Sequence, residues 1–232
     1  MHIMLTRPIE DSKELIFRFK SLGHNVSHLP VINIKKIDIK KTSYDDYSGI
    51  IFTSSNSVKF LETKNIDKTI YCFCVGSATE TYALKKGFQN VYAAEGNVEN
   101  LKEIIFKYFN KNSGKLLYVS GEVVSSNIHK QLIESGYQVD RIINYSVEHN
   151  KEFDHKFIQD LKQNIPEIVY VYSQNSANSL FNIIKKYELV DYWMNTNLMC
   201  LGEKTSSVLN EIKWKKIFIF NPGEEEFLLY KI

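Results

Sequence analysis

The stretch GIIFTSSNSVKFL, Gly49 to Leu61, starts with a short apolar run, passes through a cluster of hydroxyl and amide residues, and then turns helix-forming. The same order returns in IVYVYSQNSANSLF, Ile168 to Phe181. Short apolar runs bounded by Ser, Thr and Asn read as strands buried on both faces, the state of a strand inside a parallel sheet. The hydroxyl cluster then supplies the N-cap of the next helix. Each copy is followed by a second strand that ends in a small-residue turn and a helix: CFCVGSATETYALKKG, Cys72 to Gly87, and LMCLGEKTSSVLNEI, Leu198 to Ile212. Ser54 and Gly76 are 22 residues apart, and Ser173 and Gly202 are 29 apart.

The first-turn N–H groups of a helix have no partner within it, and the helix dipole adds partial positive charge there. Such ends hold phosphate or carboxylate without needing Lys or Arg. Capping alone accounts for either copy. Two copies, each with a strand-turn-helix partner, point to donors arranged for one anionic ligand.

Working outward, strand-like segments alternate with amphipathic helices along the chain. The strands read as Ile3–Leu5, Asn25–Val31, Ile50–Thr53, Ile70–Val75, Val91–Ala93, Leu116–Val119, Gln138–Ile143, Ile168–Tyr172, Leu198–Leu201 and Ile217–Phe220. The helices include Ser12–Leu22, with Leu15, Phe19 and Leu22 on one face, and Asn127–Ser135, with Ile128, Leu132 and Ile133. This alternation gives the class α/β, with helices on both faces of parallel sheets. The ten strands of this reading fit two sheets of about five better than one of ten.

The chain also repeats itself: LIFRFKSLGHNVSHLPV, Leu15 to Val31, is echoed by IHKQLIESGYQVDRIINY, Ile128 to Tyr145. Composition places the joint between halves at NKNSG, Asn110 to Gly114. The segments Asn33–Tyr44 and Ser146–Asp154 read as polar and irregular, and are alternative crossing points.

The 232 residues are 44% hydrophobic and 24% charged, which describes an ordinary globular protein. A formal net charge of +2 gives no ground for a nucleic-acid partner. The lysines of Ile32–Lys41 read as solvated surface. Cys72, Cys74 and Cys200 have no metal-binding spacing; they read as buried reduced thiols and fit a reducing compartment. His24 and His28 are four apart but in a strand, which disfavours a metal site. The opening MHIMLTRP reads as a strand and not a signal peptide, and no apolar run approaches the roughly 18 residues of a membrane span. The expectation is a cytoplasmic protein with no membrane partner.

Several segments in order carry a resemblance: Leu5-Thr6-Arg7-Pro8, FTSSNSV (Phe52–Val58), VGSAT (Val75–Thr79), Tyr145 at its strand, Ser173, LGEKTSS (Leu201–Ser207) and the closing NPGEEEFLLYKI. Together they resemble the uroporphyrinogen-III synthase family, over essentially the whole chain. The resemblance implies two α/β domains, each a parallel sheet in three layers, joined by a two-stranded linker. One domain would combine residues 1–34 with 150–232, and the other would be 35–149; this replaces the cut near Asn110.

The activity implied is the cofactor-free cyclisation of hydroxymethylbilane in heme biosynthesis, with loss of water and inversion of the last pyrrole ring. The partner implied is a linear tetrapyrrole with eight carboxylates, and no metal is used; apart from the resemblance, a monomer is expected. Tyr145 matches the tyrosine that acts as general acid toward the leaving hydroxyl, and a phenol, with an ordinary pKa near 10, keeps its proton at neutral pH. Arg7, Thr53, Ser54, Ser55, Asn56, Gly76, Ser77, Thr79, Gly121, Ser173, Gly202 and Thr205 match substrate-binding positions, with Thr53–Ser54 and Ser173 on opposite walls of one cleft. Many members have an Arg in the loop occupied here by Ser120–Asn127, and some have a basic residue at Asn56; this chain has neither. Lys59, Lys130 and Lys204 are candidate replacements.

Two rival readings rest on the residues alone. A sugar-phosphate isomerase would use TSSNS as a phosphate loop. A bilobal ligand-binding protein would also show two α/β lobes and a double crossover.

Overall fold

The computed structural model describes residues 1–40, 43–95, 98–221 and 223–231. Lys41 and Thr42 of the first crossing, and Pro222 and Ile232 of the closing segment, lie outside the described residues. In chain order the elements are β1 (His2–Leu5), α1 (Ile9–Ser21), β2 (Asn25–His28), β3 (Ile32–Lys36), β4 (Tyr47–Phe52), α2 (Ser55–Phe60), β5 (Tyr71–Val75) and α3 (Ser77–Lys85). There follow β6 (Asn90–Ala94), α4 (Val98–Tyr108), β7 (Lys115–Gly121), α5 (Ile128–Glu134), β8 (Val139–His149), α6 (His155–Gln163), β9 (Ile168–Val171), α7 (Gln174–Lys186), α8 (Val190–Trp193), β10 (Asn197–Leu201), α9 (Glu203–Leu209) and β11 (Lys216–Phe220).

The chain divides into two compact units, Met1–Asn33 with Glu148–Ile232, and Ile34–Val147. The first contains a sheet in the order β11-β10-β9-β1-β2, with every pairing parallel. The second sheet runs β3-β8-β7-β4-β5-β6, and its pairings from β8 to β6 are parallel. The central strands are buried throughout, as parallel strands covered on both faces must be: Ile50–Phe52 in β4 and Ile168–Val171 in β9 have no solvent exposure. Each such Ile, Val or Phe contributes about 1.5–3 kcal/mol by leaving water.

Several sequence expectations need correction. Asn33–Tyr44 and Ser146–Asp154 are not irregular throughout, because β3 occupies Ile32–Lys36 and β8 continues to His149. The two strands are sheet neighbours, and they run through the points where the chain passes from one unit to the other and back. NKNSG is a turn between α4 and β7, inside the second unit. The strand read as Asn25–Val31 stops at His28. Helix α1 begins at Ile9 because Pro8, with φ −51°, sits at its N-cap and Glu10 and Asp11 complement the dipole in its first turn. Leu22 and Ile133 are exposed: Leu22 is already the C-cap of α1, and Ile133 lies one position off the Ile128–Leu132 face of α5.

Leaving β3 aside, each sheet has one place among its described strands where the chain order reverses. In the first it lies between β1 and β9, and in the second between β4 and β7. In open α/β sheets, ligands bind beyond the carboxyl ends of the strands at such a point.

Candidate active site

In the second unit, β4 ends at Phe52 and delivers Thr53 to Asn56 at the reversal point. Ser54 has extended backbone (φ −153°, ψ 142°), and its Oγ accepts the Asn56 N–H at 3.2 Å, so it is the N-cap of α2. Thr53 Oγ1 shares a 3.0 Å hydrogen bond with the Tyr118 hydroxyl of β7, which ties the two strands across the reversal point. Burial pushes the Tyr118 phenol up, with the Thr53 hydrogen bond and the Arg141 charge opposing, so Tyr118 stays neutral and able to donate.

Tyr145 belongs to β8 and is 8% exposed. A register shift after Ser120 sets Tyr145, and not Asn144, opposite Gly121. A bulge of this kind re-aims a side chain. Asn144 turns into the core instead, and its Nδ2 donates to the Ser57 carbonyl at 2.7 Å. The Tyr145 ring lies directly on Gly121: a Cβ there would stand 2.6 Å from Cζ and 2.9 Å from the hydroxyl. Phe60 flanks the ring, with centroids 6.4 Å apart. Among the described residues, the hydroxyl itself has no hydrogen-bond partner within the protein.

In the first unit, β1 ends at Leu5 and β9 at Val171, and Arg7 and Tyr172 follow them across the other reversal point. The Arg7 guanidinium lies 4.3 Å over the Tyr172 ring, a cation–π contact. Thr6 Oγ1 donates to the Tyr170 carbonyl at 2.6 Å, fastening β1 to β9 beneath it. His28 Nε2 donates to the Arg7 carbonyl at 2.7 Å, while His24 sits against the Met1 amine, so the two histidines have separate partners. Burial, then the Glu225 carboxylate, push the Tyr172 phenol up, with Arg7 opposing. Ser173 caps α7: its Oγ accepts the Ser176 N–H at 3.1 Å.

The small-residue turns match each other closely. Gly76 has φ 80° and ψ 151°, and Gly202 has φ 79° and ψ 162°. That region is open only to glycine. A Cβ at either position would meet nothing within 4 Å, so the space over both turns is clear. Ser77 is exposed at the start of α3. Thr79 and Thr205 are buried, and the Thr205 hydroxyl donates to the Leu201 carbonyl at 2.8 Å. The threonines thus back the turns, whereas Ser77 faces outward.

The model of the family described as uroporphyrinogen-III synthase HemD matches residues 13–222 of the chain. The chain belongs to the uroporphyrinogen-III synthase family. Its fold is similar to that of uroporphyrinogen-III synthetase from Helicobacter pylori (16% identity, TM-score 0.65), covering 100% of this chain and 99% of that one. It is likewise similar to a mutant uroporphyrinogen III synthase from the extremely thermophilic bacterium Thermus thermophilus (13% identity, TM-score 0.61), covering 100% and 97%. No curated protein sequence matches at a significant level. Membership makes the chain an enzyme of porphyrin biosynthesis with a small tetrapyrrole as substrate, and leaves the isomerase and bilobal binding readings without support. No described helix is long and apolar enough to cross a membrane.

The matched range holds every candidate position except Arg7, which precedes it. The candidates fall into two groups: Thr53, Ser54, Ser55, Asn56, Gly76, Ser77, Thr79, Gly121 and Tyr145 in one unit, and Arg7, Ser173, Gly202 and Thr205 in the other. Sequence reasoning missed Arg141. The Ser120–Asn127 loop has no cation of its own, but Arg141 reaches it from β8, donating from Nη2 to the Gly121 carbonyl at 2.7 Å. Of the candidate lysines, Lys59 lies over the Tyr82 ring at 4.7 Å, and Lys130 and Lys204 are exposed. The signal for Arg141 is the pairing of Tyr118 with Arg141 in the β7–β8 register, which no local motif encodes.

Proposed function

We propose that this protein is a cyclising hydro-lyase that converts hydroxymethylbilane to uroporphyrinogen III, with the two compact units as its domains and β3 and β8 as the linker. The observation that carries this reading is the family match over residues 13–222, which covers β4 and β7 at one reversal point and β9 at the other. The reading extends to a cytoplasmic monomer acting on a small molecule.

The chemistry asks for two things. The substrate carries eight carboxylates and needs many donors, and hydroxyl-rich strand ends supply most of them. Ser54, Ser55, Asn56, Ser77 and Ser173, with Arg7, take this role, each charge-assisted bond contributing about 1.5–3 kcal/mol. Spread over so many donors, the loss of any one weakens turnover and does not abolish it. The second need is a proton for the departing hydroxymethyl oxygen. Tyr145 gives its phenolic proton to that oxygen, the C–O bond breaks, and water leaves behind an azafulvenium cation. The last pyrrole ring attacks this cation through its already substituted α-carbon, forming a spiro centre; the bond from that carbon to the neighbouring methylene bridge then breaks, and the bridge rejoins the ring at its free α-carbon. The proton lost as the ring regains aromaticity restores the phenol, and the net change is one water. Unassisted closure gives the non-inverted isomer, so the remaining work is holding the chain in one ring-closing geometry.

What supports Tyr145 in this role is a ring fixed against Gly121 and a hydroxyl with no partner among the described residues. The test of the function is to incubate the protein with freshly made hydroxymethylbilane, oxidise, and resolve the porphyrin isomers. Type III product is expected; type I alone overturns the reading. A Tyr145→Phe variant is expected to lose most of its turnover, and unchanged turnover removes Tyr145 as the acid.

A further inference from the structure

Arg141 makes an unusual set of bonds for a half-buried strand arginine. Its Nε donates to Ser120 Oγ at 2.8 Å, and its Nη2 donates to the carbonyls of Gly121 at 2.7 Å and Glu122 at 3.1 Å. One planar guanidinium therefore fixes three consecutive residues at the end of β7. These are the residues that locate Tyr145. Gly121 is the floor on which the Tyr145 ring lies, and the Glu122 N–H donates to the Tyr145 carbonyl at 2.9 Å. The sheet register breaks at this point, between Ser120 and Gly121. A bulge leaves the ladder locally disrupted, and the arginine supplies bonds that the interrupted ladder lacks. Its guanidinium also sits 5.9 Å from the centre of the Tyr118 ring, whose hydroxyl holds Thr53.

We propose that Arg141 is a positioning residue for the Tyr145 phenol: it pins the Ser120–Glu122 backbone, and that backbone sets where the phenol points. The proposal rests on the reading of Tyr145 as the acid. It differs from a role in gripping substrate, because the donors named here are committed to a hydroxyl and two carbonyls of the protein itself. An arginine acting through geometry affects the chemical step; an arginine holding a substrate carboxylate affects binding.

The experiment is a double-mutant cycle on the full chain, with Arg141→Gln, Tyr145→Phe and the double variant, measuring kcat and KM for type III product from hydroxymethylbilane. A displacement of about 1 Å at a reacting group costs about a hundredfold in rate. Arg141→Gln is therefore expected to lower kcat by about 10- to 100-fold with KM within about threefold of wild type, and to add nothing to Tyr145→Phe. A raised KM with kcat preserved, or the same fold-loss in both backgrounds, overturns the proposal. If Arg141→Gln fails to fold, Arg141→Lys replaces it in the same cycle. An ammonium cannot reproduce the planar fork, so a smaller kcat loss is expected, one that again vanishes in the Tyr145→Phe background. Should Tyr145→Phe turn over like wild type, the acid reading fails first. Should it be slow while the Arg141 variants are not, this inference alone fails.

Discussion

Gly121→Ala tests the placement of Tyr145 without touching any donor. The added Cβ would stand 2.6 Å from Tyr145 Cζ, 2.7 Å from Cε2 and 2.9 Å from the hydroxyl oxygen. Carbon atoms settle at about 3.5–4.0 Å, so the ring must retreat by about 1 Å. Phe60 is close to the ring, and Tyr145 is 8% exposed, which leaves little room for a costless shift. Overpacking of this kind lowers stability by about 1–3 kcal/mol. The same displacement, applied to a proton donor, lowers kcat by about a hundredfold. The assay pairs urea unfolding with isomer-resolved kinetics at a temperature where the variant remains folded. The expected result is a folded protein with depressed kcat and a larger share of type I porphyrin, since substrate released unconverted closes spontaneously. A folded Gly121→Ala variant with wild-type kcat and wild-type isomer ratio would refute the argument, because it would show that the phenol can move by about 1 Å without consequence.

Gly76→Ala and Gly202→Ala add a side chain into open space, so each should cost only the backbone penalty of its conformation, about 1–3 kcal/mol by denaturant titration. Ser54→Ala and Ser173→Ala each remove a helix cap and should cost about 1 kcal/mol with less than about a tenfold loss of kcat/KM. Stability should fall on the alkaline side. Burial and the 2.7 Å bond to Asp140 push the Tyr47 phenol up, and burial pushes the Cys200 thiol up to about 12. The unfolded chain releases these protons near pH 8.5 for Cys and 10 for Tyr, while the folded chain keeps them. The stabilising effect is therefore complete below those values and is lost as pH rises past them. The urea midpoint should drop between about pH 8 and 10.5, and Tyr47→Phe should shrink that drop.

The two hydroxyl clusters that end β4 and β9 were legible in the sequence because their chemistry is local, although the strand order that puts them at the reversal points was not. A buried parallel strand must be continuously apolar, and the helix after it must be capped, so IIF-TSSNS and IVYV-YSQNS show both requirements within a few residues. The crossing strands were not legible for the opposite reason. Ile32–Lys36 is a short edge strand carrying two lysines, a composition that protects an edge from pairing with other chains and that reads as loop. Its partner β8 lies more than 100 residues away, and only the closed topology brings them together. Arg141 was invisible on the same ground. Bonds from a side chain to backbone carbonyls leave no residue signature at the acceptor, so the arginine that serves the Ser120–Asn127 loop had to be found by register and not by motif.

The two units also show what the repeated motif does and does not determine. Numbering strands along each unit, the first sheet has the order 2-1-3-4-5 and its hydroxyl strand, β9, is third; the second, leaving aside β3, has the order 3-2-1-4-5 and its hydroxyl strand, β4, is first. The same motif thus occupies different ranks in two different windings. What it keeps in both is its neighbour: β9 lies beside β1 and β4 beside β7, each at the reversal of its sheet. Helices leave the sheet on opposite faces at such a point, so the strand ends there are the ones left uncovered. Position at the reversal, added to the Ser/Thr/Asn composition, is therefore what sets the Thr53–Asn56 and Ser173 caps apart as candidate carboxylate donors, with Ser77 beside the first on the next strand of its sheet.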